Sequence, residues 1–191
     1  MSLFDGLSNN ITVLGASYPI HTDFRVWIKF ESIVGNLRSD PVQTVTEILK
    51  LCLIPGKLPP SLTDTLKELL NFYSGKNEFS EKESGDGART QRIYDFEYDS
   101  EYIYSAFMQL YGIDLCSTDM HWQQFKALFS SITGDTKFGE IMRIRAVSLD
   151  EISGKKQKAH YRRLKQIFAL PDLRSEQEKE RDLADAICSI M

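Results

Sequence analysis

This 191-residue sequence has none of the common catalytic templates. It has no G-x-x-x-x-G-K-[S/T], no G-x-G-x-x-G, no H-E-x-x-H and no G-x-S-x-G. That excludes the phosphate-loop, dinucleotide-binding, zinc-protease and nucleophile-elbow chemistries that need those spacings. Gly85-Asp86-Gly87 follows no strand pattern and reads as a flexible tract, not a phosphate cradle. Cysteine is scarce: Cys52, Cys116 and Cys188 are odd in number and far apart, so neither a C-x-x-C pair nor a secreted disulfide framework can be read. Their apolar neighbours suit reduced, buried thiols and a reducing compartment such as the cytoplasm. Long apolar runs are missing as well. Residues 48–55, interrupted by Lys50, are too short to span a bilayer, and the first residues lack the basic and apolar regions of a signal peptide. A membrane is therefore not an expected partner. The net charge of -4 is mild and argues against a dedicated nucleic-acid binder, whose domain is usually strongly basic.

What is present is ordinary globular composition patterned for helices. Apolar residues make up 42% of the chain, and a domain of this size buries roughly 70% of its unfolded surface, enough for a core without staples. The expected fold is mainly α, a bundle-like set of about eight helices with a small N-terminal β-hairpin. Residues 11–14 are rich in β-branched side chains, Gly15-Ala16-Ser17 supplies a turn, and residues 18–20 return, with Pro19 tolerable only on an edge. A helix follows, capped by Thr22 or Asp23, with Val26, Phe30, Ile33 and Leu37 along one side. Asp40 and Pro41 open a second, whose face is Val45, Ile48, Leu49 and Cys52. Ser61 caps a third, with Leu62, Leu66, Leu69, Leu70 and Tyr73 on one face.

Residues 74–92 then change character: many charges, three glycines and one large apolar residue, Phe79. Such a segment cannot bury enough to offset the entropy of ordering, which predicts a mobile charged loop. The expected organisation is therefore 1–73, hairpin and helices; 74–92, loop; 93–171, a C-terminal helical core; and 172–191, an acidic final helix. In the core, Asp99 is a candidate cap, Ile103, Phe107, Leu110 and Tyr111 repeat at helical intervals, and Gly112 sits where a C-cap glycine belongs. Trp122, Phe125, Leu128, Phe129 and Ile132 form the next stripe, ended by Gly134, and Phe138, Ile141 and Met142 continue in another helix. Ser148 and Glu151 have capping-box spacing. Tyr161, Leu164 and Phe168 line a basic helix stopped by Pro171.

Few residues invite chemistry. Asp119 and His121 lack further metal ligands nearby, so helix capping by Asp119 and a packed or surface His121 is the expectation. The run Tyr94-Asp95-Phe96-Glu97-Tyr98-Asp99 offers three carboxylates, but they precede a helix, where its dipole favours negative charge. Lys155, Lys158, Arg162 and Lys165 share one helix face beside the apolar stripe, able to meet phosphate or an acidic partner or simply to face water. No cofactor or metal ion is expected.

A long signature runs through the second half: Tyr94-Asp95-Phe96, Ile103-Tyr104 with Phe107, Tyr111-Gly112-Ile113-Asp114-Leu115, His121-Trp122, Phe125, Leu128, Thr136-Lys137-Phe138, Ile141-Met142 and Arg145. With Tyr18-Pro19-Ile20 and Thr22-Asp23-Phe24-Arg25, and less specifically Tyr161-Arg162-Arg163-Leu164-Lys165, it resembles the bacteriophage gene-product-fifteen family over residues 11–170. The resemblance implies a phage or prophage protein encoded among tail morphogenesis genes, near the tape measure protein. That position is similar to the one held by tail assembly chaperones, which keep the apolar tape measure protein soluble. It brings no set of catalytic residues.

The leading expectation is thus a non-enzymatic tail assembly chaperone binding the tape measure or another tail protein. A structural tail component and a nucleic-acid-binding factor using the basic face are the alternatives, and self-association stays open. Aromatic and methionine side chains anchor amphipathic helices in grooves, which makes Phe125, Phe129, Phe138 and Met142 the candidate partner contacts. The competing reading is that all four are core.

Overall fold

A computed structural model describes residues 6–35, 41–75 and 92–171. The fold is mainly helical with an N-terminal antiparallel hairpin, as the periodicity implies. Strands β1 (Asn10–Val13) and β2 (Ala16–Pro19) precede α1 (Phe24–Gly35), α2 (Pro41–Cys52), α3 (Leu62–Ser74), α4 (Ser100–Tyr111), α5 (Trp122–Ser130) and α6 (Lys137–Ala146). A 3-10 turn (Leu149–Glu151) and α7 (Lys155–Ile167) come last. Asp40, most of the charged segment and the final helix expected over 175–191 lie outside the described residues.

The hairpin turn is tighter than the composition suggests. Leu14 (φ 48°) and Gly15 (φ 79°) form a two-residue connection, which places Ala16 and Ser17 in β2 and not in the turn. Positive φ at both positions matches the right-handed twist of the strands, and Leu14 adopts a conformation that glycine or asparagine would take more readily. Ile20 donates to the Asn9 carbonyl at 3.0 Å, which makes Asn10–Pro19 a non-hydrogen-bonded pair. Proline's missing N–H therefore costs the ladder nothing. Its carbonyl instead accepts from Ile54 N at 3.2 Å, beside the Ile20–Leu53 bridge.

Local capping explains most helix starts. Asp23 Oδ1 accepts from Arg25 N (2.9 Å), Ser61 Oγ from Asp64 N (3.3 Å) and Thr136 Oγ1 from Gly139 N (3.0 Å). Gly112 closes α4 in the left-handed region, its N–H reaching the Met108 carbonyl at 3.1 Å. Asp114 follows with an Asx turn, accepting from Cys116 N and Ser117 Oγ. Arg25 ties this loop to α1 by donating to the Leu115 and Thr118 carbonyls, both at 2.9 Å.

Several faces differ from expectation. In α3 the buried stripe is rotated towards Thr65 and Phe72, leaving both Leu62 and Leu70 exposed. Leu110 of α4 is likewise exposed, and Ala106 takes the inward place. Helix α5 ends at Ser130, so Ile132 and Gly134 lie in the connection. The spacing of Ser148 and Glu151 produces only the 3-10 turn, with Ser148 Oγ accepting from Asp150 N.

The chain divides into two compact units, Met1–Val147 and Ser148–Met191. The segments on either side of residues 74–92 thus share one core. Its centre is Phe125, fully buried, with the Phe24 ring at 4.7 Å and the Phe107 ring at 5.2 Å, both nearly parallel to it. Phe24 belongs to α1 and Phe107 to α4, so this stack joins the two halves. Cys52 is buried in the same core, and burial pushes its thiol pKa up to about 12.

An aromatic cavity as the candidate functional site

The end of α3 leaves backbone carbonyls with no partner inside the helix. Three side chains from the first turns of α5 supply the donors. Trp122 Nε1 reaches the Tyr73 carbonyl at 2.9 Å and Gln123 Nε2 the Phe72 carbonyl at 2.6 Å. Lys126 Nζ donates to the Tyr73 and Ser74 carbonyls at 2.9 and 2.5 Å. A cation there also suits the negative end of the helix dipole. The same ammonium lies 5.8 Å from the Tyr73 ring centre and 5.9 Å from that of Trp122.

Above this junction is a cavity of about 500 Å³. Tyr73, Tyr94, Phe96, Trp122, Phe125 and Phe129 form its aromatic walls, and Ile93, Ile132 and Met142 its aliphatic ones. Lys126 is the charged residue of the lining. A smaller cavity, about 240 Å³, lies beside β2 against Leu53, Ile54 and Leu58.

Residues 93–96 reach the cavity because a buried ion pair fixes them. Arg145 grips the Asp99 carboxylate with two N–H bonds, at 2.6 and 2.9 Å, and donates also to the Ile93 carbonyl at 3.1 Å. Asp99 accepts a further bond from Asp95 N. Its position opens α4 as expected, but its side chain makes no capping bond, because the guanidinium has taken it. Asp95 accepts from the Glu97 and Tyr98 amides, and Arg92 pairs with it.

The electrostatics at the cavity follow from burial. Glu31 accepts the Tyr73 hydroxyl, and burial raises the Glu31 pKa above the usual carboxylate value. Burial, then Glu31, raises that of Tyr73; the same two causes push Tyr94 up to about 12. Lys126 is shifted downward by burial, against the pull of Glu31. Both tyrosines therefore remain protonated donors at neutral pH.

His121, not Asp119, caps α5. Its Nδ1 accepts from Gln123 N at 3.1 Å while Gln124 Oε1 accepts from His121 N, a reciprocal capping box; the Asp119 side chain is exposed. The ring's Nε2 faces the Ser8 carbonyl at 3.1 Å. An accepting Nδ1 must be unprotonated, and burial holds the pKa below its ordinary 6.5, with the Ser8 carbonyl opposing. The folded state thus favours the neutral ring. Its contribution is complete above about pH 6.5 and is lost as pH falls through the lower folded-state value. Urea titrations at pH 7 and pH 5 will show lower stability at pH 5, with the loss reduced in His121→Asn, which caps without titrating. An unchanged loss in that variant refutes the assignment.

Of the candidate partner contacts, Phe138 is sealed in the core, 5.6 Å from Phe129, and offers no surface. Phe125 is also fully buried and meets the cavity only as part of its wall. Phe129 and Met142 are half-buried and line the same cavity. In the second unit, Lys155 and Arg162 are exposed, Lys158 and Lys165 half-buried, and Lys158 pairs with Asp150 at 3.3 Å. Lys126 and Tyr94 line the cavity although nothing in the sequence marks them as partner contacts. The nearest the sequence comes to a signal is a lysine four positions after Trp122, inside an otherwise apolar stripe.

Among the described residues no three His, Cys, Asp or Glu side chains converge, and no helix is long and apolar enough to cross a membrane. Fold and cavity together define a small helical protein in which the larger of the two cavities described is aromatic, with one cation in its lining. The model of the family described as Bacteriophage Gp15 protein matches residues 3–170, and the chain belongs to that family. No curated protein and no solved structure matches it.

Proposed function

We propose that this phage protein is a non-enzymatic tail morphogenesis factor that binds an apolar helical segment of a tail protein in the host cytoplasm. The tape measure protein is the leading partner, as the family's place among tail genes implies, and the role is that of an assembly chaperone. The observation that carries the reading is the cavity between α3, α5 and residues 93–96, lined by aromatic rings with Met142 at its margin. Its volume falls within the range of ligand pockets, and aromatic and methionine linings are the chemistry by which grooves take up amphipathic helices. Of the three carboxylates that could have suggested acid–base work, Asp95 and Asp99 are held by backbone amides and by arginines, and Glu97 is exposed.

Co-expression with the tape measure protein of the same tail cluster tests the proposal. A soluble tape measure that co-purifies with this chain is the expected result. An equally insoluble tape measure with nothing co-purifying defeats it. Mass spectrometry of finished particles separates the chaperone from a structural tail component, since a chaperone is missing from the completed tail.

A further inference from the structure

We infer that the aromatic cavity is built to receive an apolar side chain whose own helix carries a carboxylate beside it, so that the partner is an acidic amphipathic segment of another protein. The inference rests on the cavity being the partner surface and adds the partner's charge.

The argument is one of complementarity. Phe96, Trp122, Phe129, Ile132 and Met142 make the lining apolar, and an apolar anchor is what such walls exclude water for. The charge in that lining is the Lys126 ammonium. An ammonium has three N–H donors. The carbonyls of Tyr73 and Ser74 take two, and no third acceptor stands among the described residues. Glu31, the nearby anion, accepts the Tyr73 hydroxyl and is not part of the lining. The ammonium is half-buried, and burial disfavours its charged form. An incoming carboxylate would take the third donor and offset that penalty, and a charge-assisted bond in a partly desolvated site is stronger than a neutral one. An incoming ammonium would meet repulsion at the same place. The whole chain carries a net charge of -4, so non-specific attraction favours a basic segment. A preference for an acidic one must therefore come from the site.

The test uses three blocked helical peptides, identical except for Glu, Gln or Lys placed four positions after a central phenylalanine, on the same helix face. Binding to the full chain is followed by NMR through the Trp122 indole N–H and the Met142 methyl. The Glu peptide is expected to bind about tenfold tighter than the Gln peptide, the value of one added charge-assisted bond, and the Lys peptide weaker than both. In Lys126→Met the three affinities converge, and in Lys126→Arg the order persists. Equal binding of the Glu and Gln peptides to the unmodified chain overturns the inference without any variant. So does an acidic preference that survives Lys126→Met, an absence of binding, or shifts that miss Trp122 and Met142. If the peptides show no preference but the tape measure protein still co-purifies, this inference fails and the proposed function stands. If the acidic preference holds but the tape measure protein is not bound, the site stands and that partner is wrong.

Discussion

Arg145→Met is expected to cost about 3–5 kcal/mol, a large part of the stability of a domain this size. The reason lies in what it leaves behind. Asp99 is fully buried, and its carboxylate is compensated by two bonds from the guanidinium and one from Asp95 N. Without Arg145 a desolvated negative charge faces a single amide, and the Ile93 carbonyl loses its donor too. Asp99→Asn alone strands the guanidinium instead. Combining the two leaves no buried net charge, so the double variant should lose clearly less than the sum of the singles. Urea denaturation of all four proteins gives the coupling energy. Additive losses, or an Arg145→Met within 1 kcal/mol of the parent, would falsify the view that this pair holds residues 93–99 in place.

Gly139→Ala sets two effects of opposite sign against each other. Alanine is the better helix former by about 1 kcal/mol, and Gly139 lies within α6 with no left-handed conformation to preserve. On propensity alone the substitution stabilises. Packing says otherwise: a Cβ there would stand 2.0 Å from the Thr133 carbonyl oxygen and 2.7 Å from its carbon. Both are backbone atoms, unable to swing aside, so α6 or the Thr133–Gly134 connection must move. Overpacking of this kind typically costs about 1–3 kcal/mol, and more where backbone must shift. The melting temperature is expected to fall, with Phe138 and Ile141 losing their fit in the core. Gly134→Ala is the control, since a Cβ there meets nothing within 4 Å. A Gly139→Ala protein as stable as that control would show that α6 does not press on the connection.

What could be read without coordinates was what short spacing decides. Ser61, Pro41 and Gly112 announce helix ends because each acts on backbone within a turn of itself. Asp99 was legible as a helix start but not as half of an ion pair. Its partner stands 46 residues away, and nothing local distinguishes Arg145 from the exposed Arg143 of the same helix. His121 misled for a related reason. Its imidazole does a capping task usually given to Ser, Thr, Asp or Asn, while the nearby Asp119 has the usual chemistry and no helix end to serve. The constraint at Gly139 was equally hidden, because a helical glycine advertises nothing about what lies against it. Aromatic periodicity located the core, yet Phe138 and Phe129 look alike in sequence and differ only in which side of α5 and α6 the cavity opens. The residues that carry the family resemblance divide in two: Gly112, Asp114, His121, Thr136 and Arg145 hold backbone in place, while Tyr94, Phe96, Trp122, Phe125 and Met142 line the cavity.

The side chains of α5 that satisfy the end of α3 have a consequence for how the protein can change over evolution. Lys126 completes a helix terminus and sets the charge of the cavity with one ammonium. On the proposed reading, partner preference cannot drift freely at that position. A replacement without a donor leaves the Ser74 carbonyl unmatched, although the Tyr73 carbonyl keeps the Trp122 indole N–H. On that same reading, a change of partner at this position also disturbs the α3–α5 junction. Tolerance is wider at Ile132 and Met142, whose side chains shape the cavity without closing any helix, than at Phe129, whose ring packs against Tyr94, Phe96, Phe125 and Phe138. If the cavity is the partner surface, variation in partner should accumulate on its walls while its cation stays put.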